Sequence, residues 1–311
     1  MPFYPLVSII IPVYNGANYV SEAIDSALSQ TYKNIEVIVV NDGSTDNEAT
    51  ERICLGYAKK ITYYRKENGG CSSAINYGIK KANGEFISWL SHDDLYDKNK
   101  IETQISLYEK WDLNTENTLI SNSGRLIDAS SNKIFHPADS FNGFLDSKGM
   151  FKHLLFKKCF NGCGLLIPKA LFNNGLFFRE DMKFVLDWNL WLKFAIGGAK
   201  VYIDTKVLVS NRQHSAQVTV KQKKLHQTEA QVTCEELFEI LLKKQQWDFL
   251  SELYYFCFAT NKNIKNKILK ELKSNKIKIS SAKLIILRLK IIAKHTLKKL
   301  YHFLKSLRGS F

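Results

Sequence analysis

The segment LVSIIIPVYNG, residues 6–16, decides the fold class of this 311-residue chain. Its first six residues form a continuous run rich in β-branched side chains, which predicts a strand buried on both faces. Apolar residues then recur at helical spacing from Val20 to Leu28, and Asn18 can cap the start of that helix. A strand, a polar loop and a helix in this order form the first half of a βαβ unit.

The same alternation continues along the first half of the chain. We predict further strands at 35–40, 61–65 and 85–90, and helices at 46–58, 72–82 and 97–110. For the less regular second half we predict a short strand running into a helix over 162–172, a helix over 185–195, short strands within 199–210 and a helical pattern over 222–259. Strands that alternate with helices of this length predict an α/β fold with a mostly parallel sheet flanked by helices.

A polar cluster follows each of the first four strands: PVYNG, NDGSTD, ENGG and SHDD. Because the carboxyl ends of parallel strands lie at one edge of a sheet, the clusters should meet there and bind a ligand. The residues expected to converge are Tyr14, Asn15, Asp42, Asp46, Asn68, Asp93 and Asp94. Ordinary βα turns favour the same residue types, but four clusters in succession favour a binding site.

Charge and cysteine usage narrow the class of protein. The net charge of +14 comes from residues 261–311, which hold 13 Lys and 2 Arg against one acidic residue. Residues 1–260 therefore carry no net charge that would attract nucleic acid. The six cysteines form no CxxC pair, which predicts reduced thiols in a cytoplasmic protein. The N-terminus is not typical of a signal peptide, and no apolar stretch is long enough for a membrane-spanning helix.

The blocks PVYNG, VVNDGSTD and SWLSHDD, in this order and spacing, resemble the inverting family 2 glycosyltransferases with a GT-A, Rossmann-like fold. The resemblance extends through ENGGCSSAINYGI and LDWNLWLKFA to RQHSAQVT and covers about residues 6–220. It implies attack by an acceptor hydroxyl on the anomeric carbon of a nucleotide-sugar, with a UDP-sugar favoured over dTDP- or GDP-sugars. It further implies a hexosyltransferase that builds a bacterial-type surface polysaccharide or glycolipid.

The resemblance also implies a divalent cation, Mn²⁺ or Mg²⁺, bound at SHDD. Such hard cations prefer carboxylates together with substrate phosphates, so Asp93 and Asp94 are the expected ligands, joined by His214. The family pattern is Asp-x-Asp, and here Ser91 replaces the first aspartate. Ser91 or His92 is expected to take over the sugar or ribose contact of that aspartate. Both carboxylates could instead cap the following helix.

The donor-binding residues follow from the same resemblance. Tyr14 is expected to lie against the base, next to Pro12 and Asn15, and Asp42 is expected to accept from a ring N–H of uracil or thymine. Asn68 and Gly69 are expected near phosphate or sugar oxygens, since glycine allows close backbone approach. Arg212 is expected to bind the diphosphate.

The expected general base is Asp187, the carboxylate that precedes the LWL helix. In the first turn it would face the positive end of the helix dipole, which would lower its pKa. Glu180 and Asp181 are alternative bases, and an ordinary N-cap role would suit Asp187 equally well.

We predict three segments: a transferase domain over 1–220, a helical extension over 221–275 and a basic amphipathic tail over 276–311. Within the tail, 283–307 carries an apolar and a lysine stripe at helical spacing, which is typical of an interfacial membrane helix. Contact with the inner face of the cell membrane would suit a lipid-linked or glycan acceptor. The tail could equally pack against the enzyme or a second subunit in an oligomer.

Two other functions remain open at this stage. A nucleotidyltransferase of similar fold could use paired aspartates, but it would need a basic phosphate loop, and PVYNGANYV has neither Lys nor Arg. A non-catalytic, membrane-associated scaffold with a degenerate transferase domain would explain the serine at position 91.

Overall fold

The structure, a computed structural model, describes residues 3–135, 141–157, 159–214, 223–282 and 284–285. The chain divides into two compact units, Met1–Ala230 and Gln231–Phe311. The first unit contains the sheet and all of the predicted site residues.

Within the described residues the sheet of the first unit has ten strands. They are β1 (Val7–Val13), β2 (Ile35–Asn41), β3 (Thr62–Arg65), β4 (Phe86–Trp89), β5 (Leu95–Tyr96), β6 (Thr118–Ile127), β7 (Lys133–Phe135), β8 (Gly143–Leu145), β9 (Leu165–Pro168) and β10 (Lys200–Arg212). Their order is β3-β2-β1-β4-β9-β6-β10-β5, with β7 beside β6 and β8 beside β10.

The helices of the described residues alternate with the early strands and dominate the C-terminal part. They are α1 (Val20–Leu28), α2 (Ala49–Leu55), α3 (Cys71–Lys81), α4 (Lys100–Trp111), α5 (Ser147–Phe156), α6 (Leu186–Ile196), α7 (Lys223–Lys243), α8 (Trp247–Thr260) and α9 (Lys262–Ser274). The predicted α/β fold with a helical C-terminal part is confirmed.

The parallel part of the sheet positions the site. Strands β3, β2, β1 and β4 run parallel to one another, so their carboxyl ends share one edge. All seven residues of β1 are buried, as expected for the central strand of a covered sheet. Strand β9 runs antiparallel between β4 and β6, and β6 pairs in parallel with β10, so the whole sheet is mixed.

Several local boundaries differ from the sequence prediction. The helix expected over 46–58 is confined to Ala49–Leu55 because Asn47, Glu48 and Ala58 adopt left-handed backbone conformations that interrupt it. The strands expected within 199–210 form the single strand β10. Its register shifts between Asp204 and Val209 accommodate the polar residues that suggested a break.

The helix expected to begin after an Asn18 cap starts at Val20 without a side-chain cap. The helix expected over 97–110 begins at Lys100 and ends at Trp111. The ends of a helix are harder to predict from sequence than its middle, because a cap depends on the backbone angles of a single residue.

Helices α8 and α9 pack together in the second unit. Leu250, Leu253 and Cys257 of α8 are buried, as are Ile264 and Ile268 of α9. The four-residue steps between several of these side chains give each helix one apolar face. Most of the predicted amphipathic tail, 283–307, lies outside the described residues. Among the helices that the structure describes, none has the length and apolar character needed to cross a membrane.

Lys100 is a buried cation in the core of the first unit. Its Nζ donates to Ser88 Oγ at 2.9 Å and to Gln104 Oε1 at 2.9 Å, and lies 4.2 Å from the centroid of the Tyr96 ring. Desolvation lowers the pKa of Lys100 from its usual 10.5 to about 7.

We expect Lys100 to make the protein more stable as the pH rises from about 7 toward 10. In this window the unfolded lysine holds a proton that the folded one has lost, so unfolding takes up a proton and becomes less favourable at higher pH. The slope is at most about 1.4 kcal/mol per pH unit. Urea unfolding at several pH values should show a shallower rise in the free energy of unfolding for Lys100→Met than for wild type. The exposed Lys98→Met is the control, and equal slopes in all three proteins would contradict the assignment.

Candidate active site

The loops that follow β1 and β2 are tied together by hydrogen bonds. The Asn15 N–H donates to Ser44 Oγ at 2.9 Å, and the Thr45 N–H donates to Asn15 Oδ1 at 2.7 Å. Asn15 needs a left-handed backbone, with φ of 48°, to reach both partners. Tyr14 beside it is 44% exposed, so its ring is free to lie against a ligand.

Asp42 is a buried carboxylate just past the end of β2. It accepts hydrogen bonds from the Gly69 and Gly70 N–H groups, the latter at 2.7 Å, and from Lys66 Nζ at 2.7 Å. Gly70 precedes α3 with φ of +88°, a backbone conformation that glycine adopts without strain. The structure therefore joins Asp42 to the ENGG loop as expected, and adds Lys66, which the sequence analysis did not single out.

Asp93 and His214 meet across the site. His214 Nε2 lies 3.0 Å from Asp93 Oδ2, although the residues are 121 positions apart. The side chain of His214 is 15% exposed and that of Asp93 is 14% exposed. An oxygen and an imidazole nitrogen at this distance suit a divalent cation whose remaining ligands are phosphate oxygens and water.

The expected metal site would need oxygen atoms of the substrate as further ligands. In the part of the chain that the structure describes, no group of three or more His, Cys, Asp or Glu side chains is placed to hold a metal ion. Two protein ligands therefore require the diphosphate to complete the coordination, as the sequence analysis assumed. His92 packs against Gly16, where a Cβ atom would lie 2.5 Å from the ring. Burial lowers the pKa of His92, which favours a neutral ring.

Asp94, the other expected ligand, is buried in a network of protein donors. It accepts from the Arg212 N–H at 2.9 Å, from Asn211 Nδ2 at 2.7 Å and from Cys163 Sγ at 3.3 Å. Burial, followed by the charge of Asp93, raises the pKa of Asp94 to about 7. Its role as a ligand stays a prediction, while the contacts show that it fastens the end of β10 to the SHDD loop.

Arg212 is 1% exposed, and its guanidinium contacts protein oxygens. It donates to the Asp93 carbonyl, to Glu22 Oε2 and to Ser131 Oγ, each at 2.9 Å, and lies 4.4 Å from the centroid of the Tyr19 ring. A phosphate would have to compete with these partners, so phosphate binding by Arg212 stays a prediction. Through the observed contacts, Arg212 links β10 to the loops around it.

The remaining predicted site residues lie close to these groups. Pro12 pairs with Val40 inside the sheet, and Ser91 Oγ lies 3.5 Å from Cys163 Sγ. Asn68 and Gly69 are exposed in the loop before α3. Their contacts with a substrate remain predictions.

Asp187 lies in the first turn of α6, as expected. Its Oδ1 accepts from the Trp188 N–H at 2.7 Å, and Cys159 Sγ lies 3.7 Å from Oδ2. Desolvation raises the pKa of Asp187, which is opposite to the expected lowering by the helix dipole. Burial of the carboxylate outweighs the helix dipole and the hydrogen bonds from Trp188 and Cys159, which act to lower the pKa.

Glu229 of α7 orients the segment that leads into Asp187. Its carboxylate accepts from the N–H groups of Lys183 at 2.9 Å, Phe184 at 2.8 Å and Val185 at 3.2 Å. It is 6% exposed. These three amides lie immediately before α6, so Glu229 fixes the backbone that leads into the helix. No local sequence signal links position 229 with position 183.

The competing base candidates have other partners. Glu180 accepts from Asn76 Nδ2 at 3.1 Å. Asp181 is exposed and pairs with Arg179, and this hydrogen bonding lowers the pKa of Asp181. A carboxylate with a lower pKa is a weaker base. The opposite pKa shifts of the two residues therefore favour Asp187 over Asp181 as the general base.

Cys71, the first residue of α3, is exposed where the loops converge. Although its side chain reaches solvent, desolvation by surrounding atoms raises the pKa of its thiol to about 12, and the charges of Asp42, Asp93 and Asp187 add to the shift. One thiol is therefore under the influence of carboxylates from three separate parts of the chain. The three carboxylates therefore lie in the neighbourhood of this thiol.

If the chain binds UDP, as the family resemblance implies, Cys71→Asp should weaken that binding at least about tenfold, because a further carboxylate near Asp42, Asp93 and Asp187 would repel the diphosphate. Cys71→Ser, which is nearly isosteric and uncharged, is the matched control and should bind like wild type. Titration calorimetry with UDP and Mn²⁺ measures both. Equal UDP affinity for the aspartate and serine variants would place the diphosphate elsewhere.

A sheet with acidic loops gathered at the carboxyl ends of its parallel strands is typical of a nucleotide-binding α/β enzyme. Residues 8–146 match the family described as Glycosyl transferase family 2. An uncharacterized glycosyltransferase of Rickettsia typhi is 45% identical over 272 residues, which cover 85% of this chain and 83% of that protein. The chain belongs to glycosyltransferase family 2.

Other similarities differ in the share of the relative that they cover. An uncharacterized glycosyltransferase of Rickettsia bellii is 50% identical over 70% of this chain, but the chain spans only 31% of that protein. The crystal structure of S. aureus TarS 1-349 in complex with UDP-GlcNAc superimposes with a TM-score of 0.63 at 17% identity, over 86% of this chain and 85% of that one. The structural likeness supports the GT-A fold expected from the sequence.

Proposed function

We propose that the chain transfers a hexosyl group from a UDP-sugar to an acceptor hydroxyl, with inversion at the anomeric carbon. The observation that carries the proposal is the 3.0 Å contact between Asp93 and His214 in a chain of glycosyltransferase family 2, with Asp42 and Asp187 in the neighbourhood of the same thiol, Cys71. The three carboxylates match three separate needs of the reaction: recognition of the nucleoside, charge neutralisation at the diphosphate, and removal of a proton from the acceptor.

Nucleoside recognition is assigned to Tyr14, Asp42 and Lys66. The exposed Tyr14 ring offers a face on which a base can stack. Asp42 is held in place by the glycine amides, and it could accept from the N3–H of uracil if Lys66 turned away. Lys66 would then carry its charge toward the diphosphate. TarS was crystallised with UDP-GlcNAc, which supports a UDP-sugar as the donor of this chain.

Asp93 and His214 would hold Mn²⁺ or Mg²⁺ together with the diphosphate. The cation would neutralise the charge that develops on the leaving phosphate oxygen. Ser91 and His92 flank this position and are assigned to the sugar or ribose hydroxyls.

Asp187 is assigned as the general base. The acceptor oxygen forms a bond to the anomeric carbon, the bond between that carbon and the diphosphate oxygen breaks, and its electron pair leaves with UDP. Asp187 takes the hydroxyl proton. The raised pKa of Asp187 makes the carboxylate a stronger base and so suits this task. One displacement from the face opposite the leaving group inverts the configuration.

Hydrolysis of a panel of UDP-, dTDP- and GDP-sugars, with Mn²⁺, with Mg²⁺ and with EDTA, tests this assignment. We expect UDP release from a UDP-sugar that depends on the cation. Release of pyrophosphate from a nucleoside triphosphate would instead identify a nucleotidyltransferase. Tight UDP binding without turnover, even with crude glycan acceptors, would identify a scaffold.

We also propose that the protein works at the inner face of the membrane through its basic tail, on a glycan or lipid-linked acceptor for a surface polysaccharide. The charge and amphipathic pattern of 283–307 support this, since each Lys or Arg near anionic headgroups contributes about 1 kcal/mol. Co-sedimentation with anionic vesicles should be lost on deletion of 276–311, while donor hydrolysis survives. Failure of the full chain to bind anionic vesicles would end the membrane proposal.

A further inference from the structure

The carboxylate of Asp187 has a partner at each of its two oxygens, and the partners differ in strength. Oδ1 accepts from the Trp188 N–H at 2.7 Å, whereas Cys159 Sγ donates to Oδ2 at 3.7 Å. Cys159 is 28 positions away from Asp187 in the sequence, so only the folded chain brings the thiol to the carboxylate. A thiol is a weak hydrogen-bond donor. It can therefore direct Oδ2 while leaving that oxygen able to take up a proton.

The segment that carries Cys159 is attached to two neighbouring elements. The Phe160 ring is buried and stacks on His153 of α5, with 5.3 Å between the ring centroids. Asn161 Nδ2 donates to Asn211 Oδ1 of β10 at 2.6 Å. Because the two residues that follow Cys159 are anchored to separate elements, the backbone of Cys159 has little freedom to carry the thiol away.

The helix that carries Asp187 is attached to the same region. Trp188 Nε1 donates to the Leu154 carbonyl of α5 at 2.9 Å, and helices α5 and α6 pack against each other. On the other side, Glu229 accepts from the N–H groups of residues 183–185, just before α6. The contact between the thiol and the carboxylate is therefore set by the packing of secondary-structure elements.

The thiol of Cys159 keeps its proton at neutral pH. Desolvation, followed by the charge of Asp187, raises the pKa of Cys159 well above the usual value of 9.0. A nucleophilic or redox-active cysteine needs a lowered pKa, so a hydrogen-bonding role suits Cys159 better. Its proton is the one donated to Oδ2, and this hydrogen bond favours the charged form of Asp187.

The titratable groups that interact with Asp187 come from three elements of the described chain. They are Cys159 in the segment after α5, Cys71 of α3 and His226 of α7. Cys159 alone among them is hydrogen-bonded to the carboxylate in the described structure, while His226 is exposed and acts through its charge. Because Cys71 and His226 are the same in every variant of Cys159, differences between such variants report on the thiol.

We propose that Cys159 is a positioning residue for the general base: its thiol donates to Asp187 Oδ2 and holds the carboxylate in the orientation in which it takes the acceptor proton. This inference rests on the proposed function and deepens it by naming the residue that orients the base. A weak donor suits this position, because a strong donor would stabilise the carboxylate and make it a poorer base.

Carbon NMR titration of the Asp187 carboxyl group tests the proposal without relying on turnover. The full chain is labelled at the aspartate carboxyl carbon, and the Asp187 signal is the one missing from Asp187→Asn. Cys159→Ala removes the donor and should raise the titration midpoint by about half a pH unit, a roughly threefold change in the proton dissociation constant. Cys159→Ser keeps a donor, so its midpoint should lie at or below that of wild type. Cys54→Ser is the control, because it places the same hydroxyl at another buried cysteine, in α2, whose charged neighbours are Asp46 and Glu51.

The pH profile of sugar transfer gives the second readout. In Cys159→Ala the acid limb should move to higher pH with the NMR midpoint. The limiting rate at high pH should fall about threefold to tenfold at an unchanged KM for the UDP-sugar, because a misoriented base slows the chemical step without affecting donor binding. Cys159→Ser should restore the wild-type rate within about threefold.

The proposal is overturned if Cys159→Ala keeps the midpoint or the limiting rate of wild type. It is equally overturned if Cys159→Ser behaves like Cys159→Ala, because the thiol would then only fill space. A chain that transfers sugar normally but shows no response to the Cys159 variants overturns this proposal alone. Absence of transfer from every donor sugar would overturn the proposed function instead, even if the NMR midpoints moved as expected.

Discussion

Replacement of Asp93 by alanine should reduce cation-dependent transfer by about a thousandfold. The substitution removes one of the two side chains assigned to the metal, and a bound cation would supply several kcal/mol of charge stabilisation to the departing diphosphate. It also leaves His214 without its 3.0 Å partner. Initial rates of UDP release at saturating Mn²⁺, together with UDP affinity with and without Mn²⁺, measure the effect.

If Asp93 binds the cation, its replacement should remove the effect of Mn²⁺ on the affinity for UDP. In wild type, Mn²⁺ should tighten UDP binding, and in Asp93→Ala it should not. Asp112→Asn is the control, since Asp112 is exposed at the end of α4 with φ of 46°, a conformation that asparagine also adopts. If Mn²⁺ still strengthened UDP binding to the alanine variant, the cation site would have to lie elsewhere.

Replacement of Asp187 by asparagine should lower the transfer rate by about 10²- to 10⁴-fold, the usual contribution of a general base. The asparagine keeps the shape of the side chain and can still accept the Trp188 N–H. UDP affinity should stay unchanged, because Asp187 is assigned to the acceptor and not to the nucleotide. Single-turnover transfer and calorimetry on the same preparation separate these two effects.

Glu180→Gln and Asp181→Asn are the matched controls, because they test the competing carboxylates. Each should retain transfer within a few-fold of wild type. The rate of wild type should fall as the pH drops through the raised pKa of Asp187, so the acid limb of the profile should lie above that of an ordinary carboxylate. Normal turnover by Asp187→Asn, or a collapse in Glu180→Gln, would move the base to another residue.

The sequence was sufficient to predict the parallel strands whose ends carry the candidate site residues. Buried β-rich runs identified the parallel strands, and the rule that their carboxyl ends share an edge brought Asp42 and Asp93 together. Asp187 joined them only through the family resemblance, since its position in a first helical turn is equally typical of a cap. The strand predictions succeeded because strand periodicity is a local property of the chain, whereas the roles of the three carboxylates stay predictions.

The partners of each site residue could not be read from the sequence. Arg212 was expected at the diphosphate, yet its contacts come from residues 22, 93 and 131, which only the folded chain brings together. Lys66 and Glu229 were missed for the same reason. The direction of the pKa shift of Asp187 was wrong because a helix dipole is visible in the sequence, whereas desolvation depends on tertiary packing.

The cross-bracing of the loops after β1 and β2 has a consequence for redesign. Asn15 bonds to Ser44 and Thr45 of the loop after β2, and the Gly16 N–H donates to Thr50 Oγ1 in the first turn of α2 at 2.9 Å, so the segments after β1 and β2 supply hydrogen-bonding partners to each other. A nucleotide entering such a framework would freeze little additional chain motion. To change which nucleobase the enzyme accepts, both segments would therefore have to be exchanged together. Replacing only one of them would leave backbone N–H groups of the other without their hydrogen-bond acceptors.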